Sequence, residues 1–196
     1  MYRAAALAAL RRGVGMDDHE ELGHVAREAA IELTEHGRGP VLLDGEDVTD
    51  AIRSPEVTDA SSIMSTVPAV RRALVRQQRE IGGRTDCVME GRDIGTVVFP
   101  DAGLKVFLTA TLEERARRRH AQLEAGGESV DIGRLIDEIA ERDRRDSTRS
   151  DSPLRKANDA VELDTTGLSI EQQVDEVVRL ARERADGGRA TGACVE

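Results

Sequence analysis

Aromatic side chains are almost absent from this 196-residue sequence: Tyr2, Phe99 and Phe107 are the whole set, with no tryptophan. Base-stacking platforms for single-stranded nucleic acid need several exposed rings, so that class of function is disfavoured. Lysine is nearly as scarce. Lys105 and Lys156 are the only two, which leaves 26 of the 28 basic side chains as arginine. Against 38 acidic residues the net charge is −10, so the chain as a whole should repel polyanions and is not expected to bind nucleic acid. A local basic pocket for a small anion remains open. No apolar run approaches the roughly 18–20 residues of a membrane span, so no membrane partner is expected. Cysteine is reduced to Cys87 and Cys194, far apart and without metal-ligand spacing. Cys87 lies in an apolar run and reads as a small buried hydrophobe. A disulfide framework is not expected, which fits a reducing cytoplasm. Ala4–Leu10 imitates a signal peptide only faintly, being short, alanine-rich and followed at once by Arg11 and Arg12.

What is present suffices for a packed core, since 39% of residues are apolar. Ala4–Leu10 reads as a helix ended by Gly13 and Gly15. Leu22, Val25, Ala26, Ala29, Ala30 and Leu33 follow the i, i+3, i+4, i+7 pattern of a second helix, stopped by Gly37. Pro40–Asp44 is a short strand and Gly45-Glu46-Asp47 a turn. A short helix is expected around Thr58–Val67, and Pro68 opens a clearer one with Val70, Ala73, Leu74, Gln77 and Ile81 on one face. Beyond Gly82-Gly83 the pattern changes. Asp86–Glu90 looks like a buried strand, Leu104–Leu108 a second, and Ala160–Asp164 a third. Between them, Thr111 with Glu114 makes a capping box, Asp131–Arg149 is a charged helical stretch, and Ser169 with Gln172 caps the last helix. Ile170, Val174, Val177, Val178 and Ala181 should face inward from it. The tail from Gly187 is small, polar and expected to be disordered. Strand alternating with helix implies an α/β fold with a parallel core sheet.

Three clusters offer chemistry. Open α/β sheets bind ligands at the carboxyl ends of their strands, where Gly91-Arg92-Asp93-Ile94-Gly95-Thr96 falls. Arg92 and Asp93 either belong to a site or form an ion pair that stabilises a turn. Arg115, Arg118 and Arg119 share a helical face, either solvated and paired with acids or closing on phosphates. Arg142, Asp146 and Arg149 fall at i, i+4, i+7, either as an ion-pair stripe or as part of a phosphate clamp in which one carboxylate holds a sugar hydroxyl.

Six segments, taken together and in order, resemble bacterial cytidylate kinase. They are Met1-Tyr2-Arg3, Leu43–Val48, Ile52–Val57, Glu90–Asp101, Glu141–Ser147 and Leu163–Thr166. The resemblance implies a three-layer P-loop kinase fold with a monophosphate-binding insertion at about 12–65 and a helical lid at about 117–151. It implies one kinase domain over 1–184, a tail at 185–196, and a monomer. The implied reaction moves the γ-phosphoryl group of ATP, with Mg²⁺, to CMP or dCMP. Carried over by position, Arg3, Arg92 and Arg149 would hold the acceptor phosphate, and Ser62, Arg71 and Asp93 would read cytosine. Arg142 and Asp146 would sit at the sugar and phosphate, with Asp146 on the ribose hydroxyls. Arg118 would be a lid arginine near the transferring group, so Arg92, Arg118 and Arg142 are the catalytic candidates.

The sequence departs from that family in one respect. It contains no Gly-x-x-x-x-Gly-Lys-Ser/Thr loop, the element whose amides cradle triphosphate and whose hydroxyl holds Mg²⁺, and no metal ligand is assigned. The strand preceding that loop lies mid-sheet, so its loss should leave two strands unpaired and the chain poorly folded and inactive. The expectation is that Met1 is an internal methionine of a longer product. Two other readings stand beside this one: a non-catalytic CMP-binding remnant, and a kinase for another nucleoside monophosphate.

Overall fold

The computed structural model describes residues 1–34, 39–84, 86–148 and 151–187, and the backbone of 193–195. They form two compact units, Met1–Thr85 and Asp86–Glu196, where the sequence suggests a single domain.

In the N-terminal unit, the alanine run becomes α1 (Tyr2–Arg11), whose Ala4, Ala5, Ala6, Ala8 and Ala9 are all buried. Methyl side chains let a helix be enclosed on several sides without overpacking, so this segment is core. α2 (His19–Glu28) is capped by Asp18, which accepts from Glu21 N. The apolar periodicity predicted that this helix would run on to Leu33, but it ends at Glu28. Ile31–Leu33 is instead β1, antiparallel to β2 (Val41–Leu43), which pairs in turn with β3 (Glu46–Asp47). Tertiary pairing overrides helical period here: Ile31 is buried, and Ala30 N donates to the Asp44 carboxylate. The turn falls one residue before its expected place. Asp44 and Gly45 both have positive φ (52° and 84°), the conformation that a two-residue hairpin turn demands, and Glu46-Asp47 is strand.

α3 (Pro55–Met64) starts three residues earlier than expected because Ser54 caps Val57 N and Pro55 occupies the first helical position. α4 (Pro68–Gly82) buries Val70, Ala73 and Leu74. One cluster joins these elements, with Leu22, Val25, Met64, Val67, Val70 and Leu74 excluded from solvent. Each such aliphatic side chain contributes about 1.5–3 kcal/mol. The N-terminal unit therefore holds a core of its own.

The C-terminal unit carries a four-stranded parallel sheet in the order β4 (Val88–Glu90), β7 (Ala193–Val195), β5 (Leu104–Thr109), β6 (Val161–Asp164). Two departures from expectation stand out. The place between β4 and β5 is taken by the last strand of the chain, in the stretch expected to be disordered. Val88 pairs with Ala193 and Glu90 with Val195 on one side, Leu104 with Ala193 and Val106 with Val195 on the other. The two flanking strands thus have a neighbour. Second, β4 is not buried: Val88 is 70% exposed and Glu90 is also exposed. Cys87 is half-buried rather than buried, and burial, helped by Asp86, raises its thiol pKa.

α5 (Leu112–Ala125) is capped by Thr111, which accepts from Glu114 N. α6 (Ile132–Thr148) follows the turn at Gly127, and Asp131 accepts from Arg134 N at its start. α7 (Ile170–Gly187) begins with a reciprocal capping box: Ser169 N donates to Gln172 Oε1, and Gln172 N to Ser169 Oγ. Its apolar stripe differs from the expected inward face, because Ile170, Val174 and Val178 are exposed. Among the described residues, the buried apolar side chains of this unit are Ile94, Val98, Leu104, Val106, Ala116, Leu135 and Ala157. Among the described residues no helix is long and apolar enough to cross a membrane.

One buried cation supports β5. Lys105 is 6% exposed, and its Nζ donates to Pro100 O and to both Asp159 oxygens, each at 2.8 Å. The Lys105 hydrogen bonds hold the Asp159 carboxyl below its ordinary pKa. A depressed carboxyl pKa contributes stability at pH above the unfolded value, which is lost as pH falls through the folded value. Asp159→Ala should therefore lower the melting temperature by several degrees near neutrality, leaving a buried ammonium uncompensated. The difference from the parent chain should close as pH drops below about 3.9. Thermal melts over that range check it, and a pH-independent difference would contradict this origin.

Candidate functional site

The residues singled out in the sequence fall into a group within each unit. In the N-terminal unit, Arg3 lies on α1 and its Nη1 donates to Ile52 O at 3.0 Å. This ties the first turn of α1 to the short 3₁₀ turn Ala51–Arg53. Ser62 lies half-buried on α3, its carbonyl accepting from Ser65 Oγ. Arg71 is 2% exposed on α4, and its Nη1 reaches the Tyr2 hydroxyl at 3.5 Å. A guanidinium enclosed to that degree needs partners, and the phenol beside Arg3 is one of them. Tyr2 links α1 to α4 and was not singled out in the sequence. The available signal was its standing as the only tyrosine, directly before Arg3.

In the C-terminal unit, β4 delivers Gly91-Arg92-Asp93 at its carboxyl end. Gly91 is required there by close approach, since a Cβ would lie 2.5 Å from Ile94 Cγ1. Asp93, 6% exposed, starts a single turn of π-helix (Ile94–Val98), with its carbonyl accepting from Val97 N and Val98 N. π-turns are rare and recur at functional sites. Arg92 Nε stands 3.5 Å from Asp146 Oδ2, and Arg142 Nε 3.9 Å from the same oxygen. The Asp146 side chain is 8% exposed, against 44% and 41% for the two arginines. One enclosed carboxylate thus anchors two half-exposed guanidiniums, one from the strand tip and one from α6. The Arg142–Asp146 stripe is an ion pair along the helix, and its carboxylate also draws in Arg92 from another element. Arg149 lies outside the described residues.

Arg118 is placed differently from expectation. Its Nε donates to Glu114 Oε1 at 2.7 Å, its Nη1 to Thr165 Oγ1 at 3.1 Å, and its Nη2 to Thr165 O and Leu168 O. In this structure it is a strut between α5 and the turn after β6, and no bond joins it to Arg92, Arg142 or Asp146. Glu114, at 10% side-chain exposure, also binds Arg117, and those bonds lower its carboxyl pKa. Sequence reading gave Glu114 only a capping role, whereas its side chain organises two arginines. The segment expected to form a lid is a helical hairpin, α5 and α6, bridged by Arg115 Nη1 and Asp143 Oδ2 at 2.6 Å.

The arrangement suits an anion flanked by hydroxyls. Guanidinium forks grip phosphate, and a fixed carboxylate beside them accepts from a sugar. The residues present do not fit a triphosphate–metal cradle. Both lysines are engaged, Lys105 with Asp159 and Pro100, and Lys156 with Glu162 at 2.8 Å. No group of three or more His, Cys, Asp or Glu able to hold a metal occurs among the described residues.

A sequence profile described as cytidylate kinase matches residues 1–183. The chain belongs to the cytidylate kinase family. It is 51% identical over 191 residues to a cytidylate kinase of Solibacter usitatus, spanning 96% of this chain and 81% of that one. It is 47% identical over 185 residues to a cytidylate kinase of a Geobacillus species, spanning 94% of this chain and 83% of that one. A bifunctional pantoate ligase/cytidylate kinase of a Synechococcus species is 50% identical over 190 residues, covering 93% of this chain and 35% of that much longer protein. Membership agrees with the parallel sheet and with the placement of Arg92 and Asp93 at a strand's carboxyl end. Cytidylate kinases are phosphotransferases, so the mixed α/β fold and the enzyme class inferred from the sequence both stand.

Proposed function

We propose that the chain forms the acceptor side of a kinase that converts CMP or dCMP to CDP or dCDP at the expense of ATP. An oxygen of the acceptor phosphate attacks the γ-phosphorus, the bond to the β–γ bridging oxygen breaks, and ADP leaves. Little covalent chemistry is asked of the protein, so positioning and charge neutralisation carry such a transfer. The observation that carries this reading is the meeting of Arg92 and Arg142 on the enclosed Asp146 carboxylate. Arg92 and Arg142 would hold the acceptor phosphate, together with Arg3 and Arg149. Asp146 would accept from the ribose hydroxyls. Ser62, Arg71 and Asp93 would read cytosine, whose exocyclic amine is a donor where uracil has an acceptor. For Arg118 to reach the transferring group, its bonds to Glu114 and Thr165 would have to open.

Mg²⁺, when bound with ATP, supplies neutralisation of the developing phosphate charge. This chain's residues offer no cradle for it, so no step is assigned through it. That same absence of a Gly-rich Lys-Ser/Thr loop favours a second reading, a CMP-binding protein without turnover. A coupled ATP-consumption assay with CMP, dCMP, UMP and AMP, run beside calorimetry, separates the two. The chain is expected to bind CMP and dCMP in preference to UMP and AMP; ATP consumption with CMP marks the kinase, and binding without it marks the second reading. A preference for AMP would overturn the base-reading roles, and absence of CMP binding would overturn both readings.

A further inference from the structure

α2 and α4 approach closely where Gly23 meets Ala69: a Cβ on Gly23 would lie 2.7 Å from that of Ala69. Beside this crossing is a hollow of about 150 Å³, lined by Arg27, Ala69, Arg72, Ala73 and Arg76. The two alanines line it between three arginines. At roughly 30 Å³ per water it has room for about five waters. A second hollow of about 450 Å³ adjoins it, sharing Arg72 and Arg76 and adding Val75, Arg79 and Glu80.

Three observations set these arginines apart from ordinary surface charge. The chain carries a net charge of −10, yet among the described residues the only carboxylate lining either hollow is Glu80, 3.7 Å from Arg76. The side chains of Arg27 and Arg72 make no hydrogen bond or ion pair with a described residue. Arg27 also has an obvious structural role that it does not fill. In the last turn of α2 it is well placed to lie along the terminal carbonyls. Instead its Nη1 folds back to within 3.5 Å of the Cβ position at Gly23, over the crossing. Like charges gathered in one groove repel each other, and a multiply charged anion relieves that repulsion.

We propose that the α2–α4 groove is a binding site for a small oligophosphate, distinct from the residues assigned to the acceptor nucleotide. Arg72, Arg76 and Arg79 follow at i, i+4, i+7 along α4 and span about 10 Å of helix. That is a row for linked phosphoryl groups rather than a single anion. Arg71, next in sequence, is buried and linked to Tyr2, so it belongs to the other face of the helix. Guanidinium forks suit phosphate oxygens in pairs, and the shallow opening admits a chain that continues into the neighbouring hollow.

The test is calorimetric titration of the full chain with sodium tripolyphosphate, with and without saturating CMP, at about 50 mM and about 200 mM salt. Saturable binding is expected, weakening steeply with salt and unchanged by CMP. Arg72→Gln/Arg76→Gln should weaken it at least tenfold, and Arg27→Gln should weaken it severalfold. Arg92→Gln should leave it untouched. Thermal melts confirm that the substituted chains remain folded, which is expected because these side chains are exposed. Absence of binding, competition by CMP, or full retention in the double variant each overturns the proposal.

Discussion

Asp146→Ala should reduce CMP affinity by about thirtyfold or more. The carboxylate is enclosed, and it stands at ion-pair distance from both Arg92 and Arg142. Without it the two guanidiniums lose the shared carboxylate that draws them together. Truncating one partner of a buried charge pair typically costs about 2–5 kcal/mol; both arginines here are half-exposed, so the lower end applies, a factor of about thirty. A second consequence separates this role from a merely structural one. If Asp146 accepts from ribose hydroxyls, its loss should narrow the difference between CMP and dCMP affinity. Paired titrations of parent and Asp146→Ala with both nucleotides check this, with Asp146→Asn as a shape-preserving control. An equal loss for the two nucleotides would leave Asp146 as a support for the arginines and no more.

Removing residues 188–196 should dismantle the C-terminal sheet while sparing the N-terminal unit. β4 has no strand neighbour other than β7 among the described residues, and β7 also pairs with Leu104–Val106 of β5. Its loss strips backbone partners from both flanking strands. A buried polar group left without a partner costs about 1–3 kcal/mol, so a few of them rival a typical total stability of about 5–15 kcal/mol. Among the described residues the unit has few buried apolar side chains to set against this, and the stripe on α7 is exposed. Hydrogen exchange followed by mass spectrometry should show amides of 88–90 and 104–106 losing protection in the shortened chain. Protection in α1 and α4, which pack into the N-terminal cluster, should persist. Unchanged exchange in β4 and β5 would mean that the sheet does not depend on its last strand.

The elements that were legible in the sequence are those fixed by local chemistry. Pro68 at the first turn, the Ser169–Gln172 box and the Thr111 cap mark helix starts through side chains that touch only their own turn. β5 and β6 were legible as apolar runs between turn signals. What escaped depends on distant partners. Ile31–Leu33 has a helical period and becomes a strand because Val41–Leu43 lies beside it. The α7 stripe has the pattern of a buried face, yet burial needs something to pack against, which periodicity does not report. Ala193–Val195 gives almost no signal, since three residues pair by backbone alone.

The candidate site divides in the same way. Arg142 and Asp146 were placed correctly on one helical face because i, i+4 geometry is local. That Arg92 would join them followed from its position at a strand tip together with the resemblance. The binding of Arg118 to Thr165 crosses 47 residues, and that of Arg71 to Tyr2 crosses 69; neither could be read from spacing.

A crystal structure of the chain with CMP tests the central claim most directly. The expected result has the phosphate gripped by Arg92 and Arg142, with the Asp146 carboxylate within hydrogen-bonding distance of a ribose hydroxyl. CMP bound elsewhere, with the Arg92–Asp146–Arg142 cluster free of nucleotide, would contradict it.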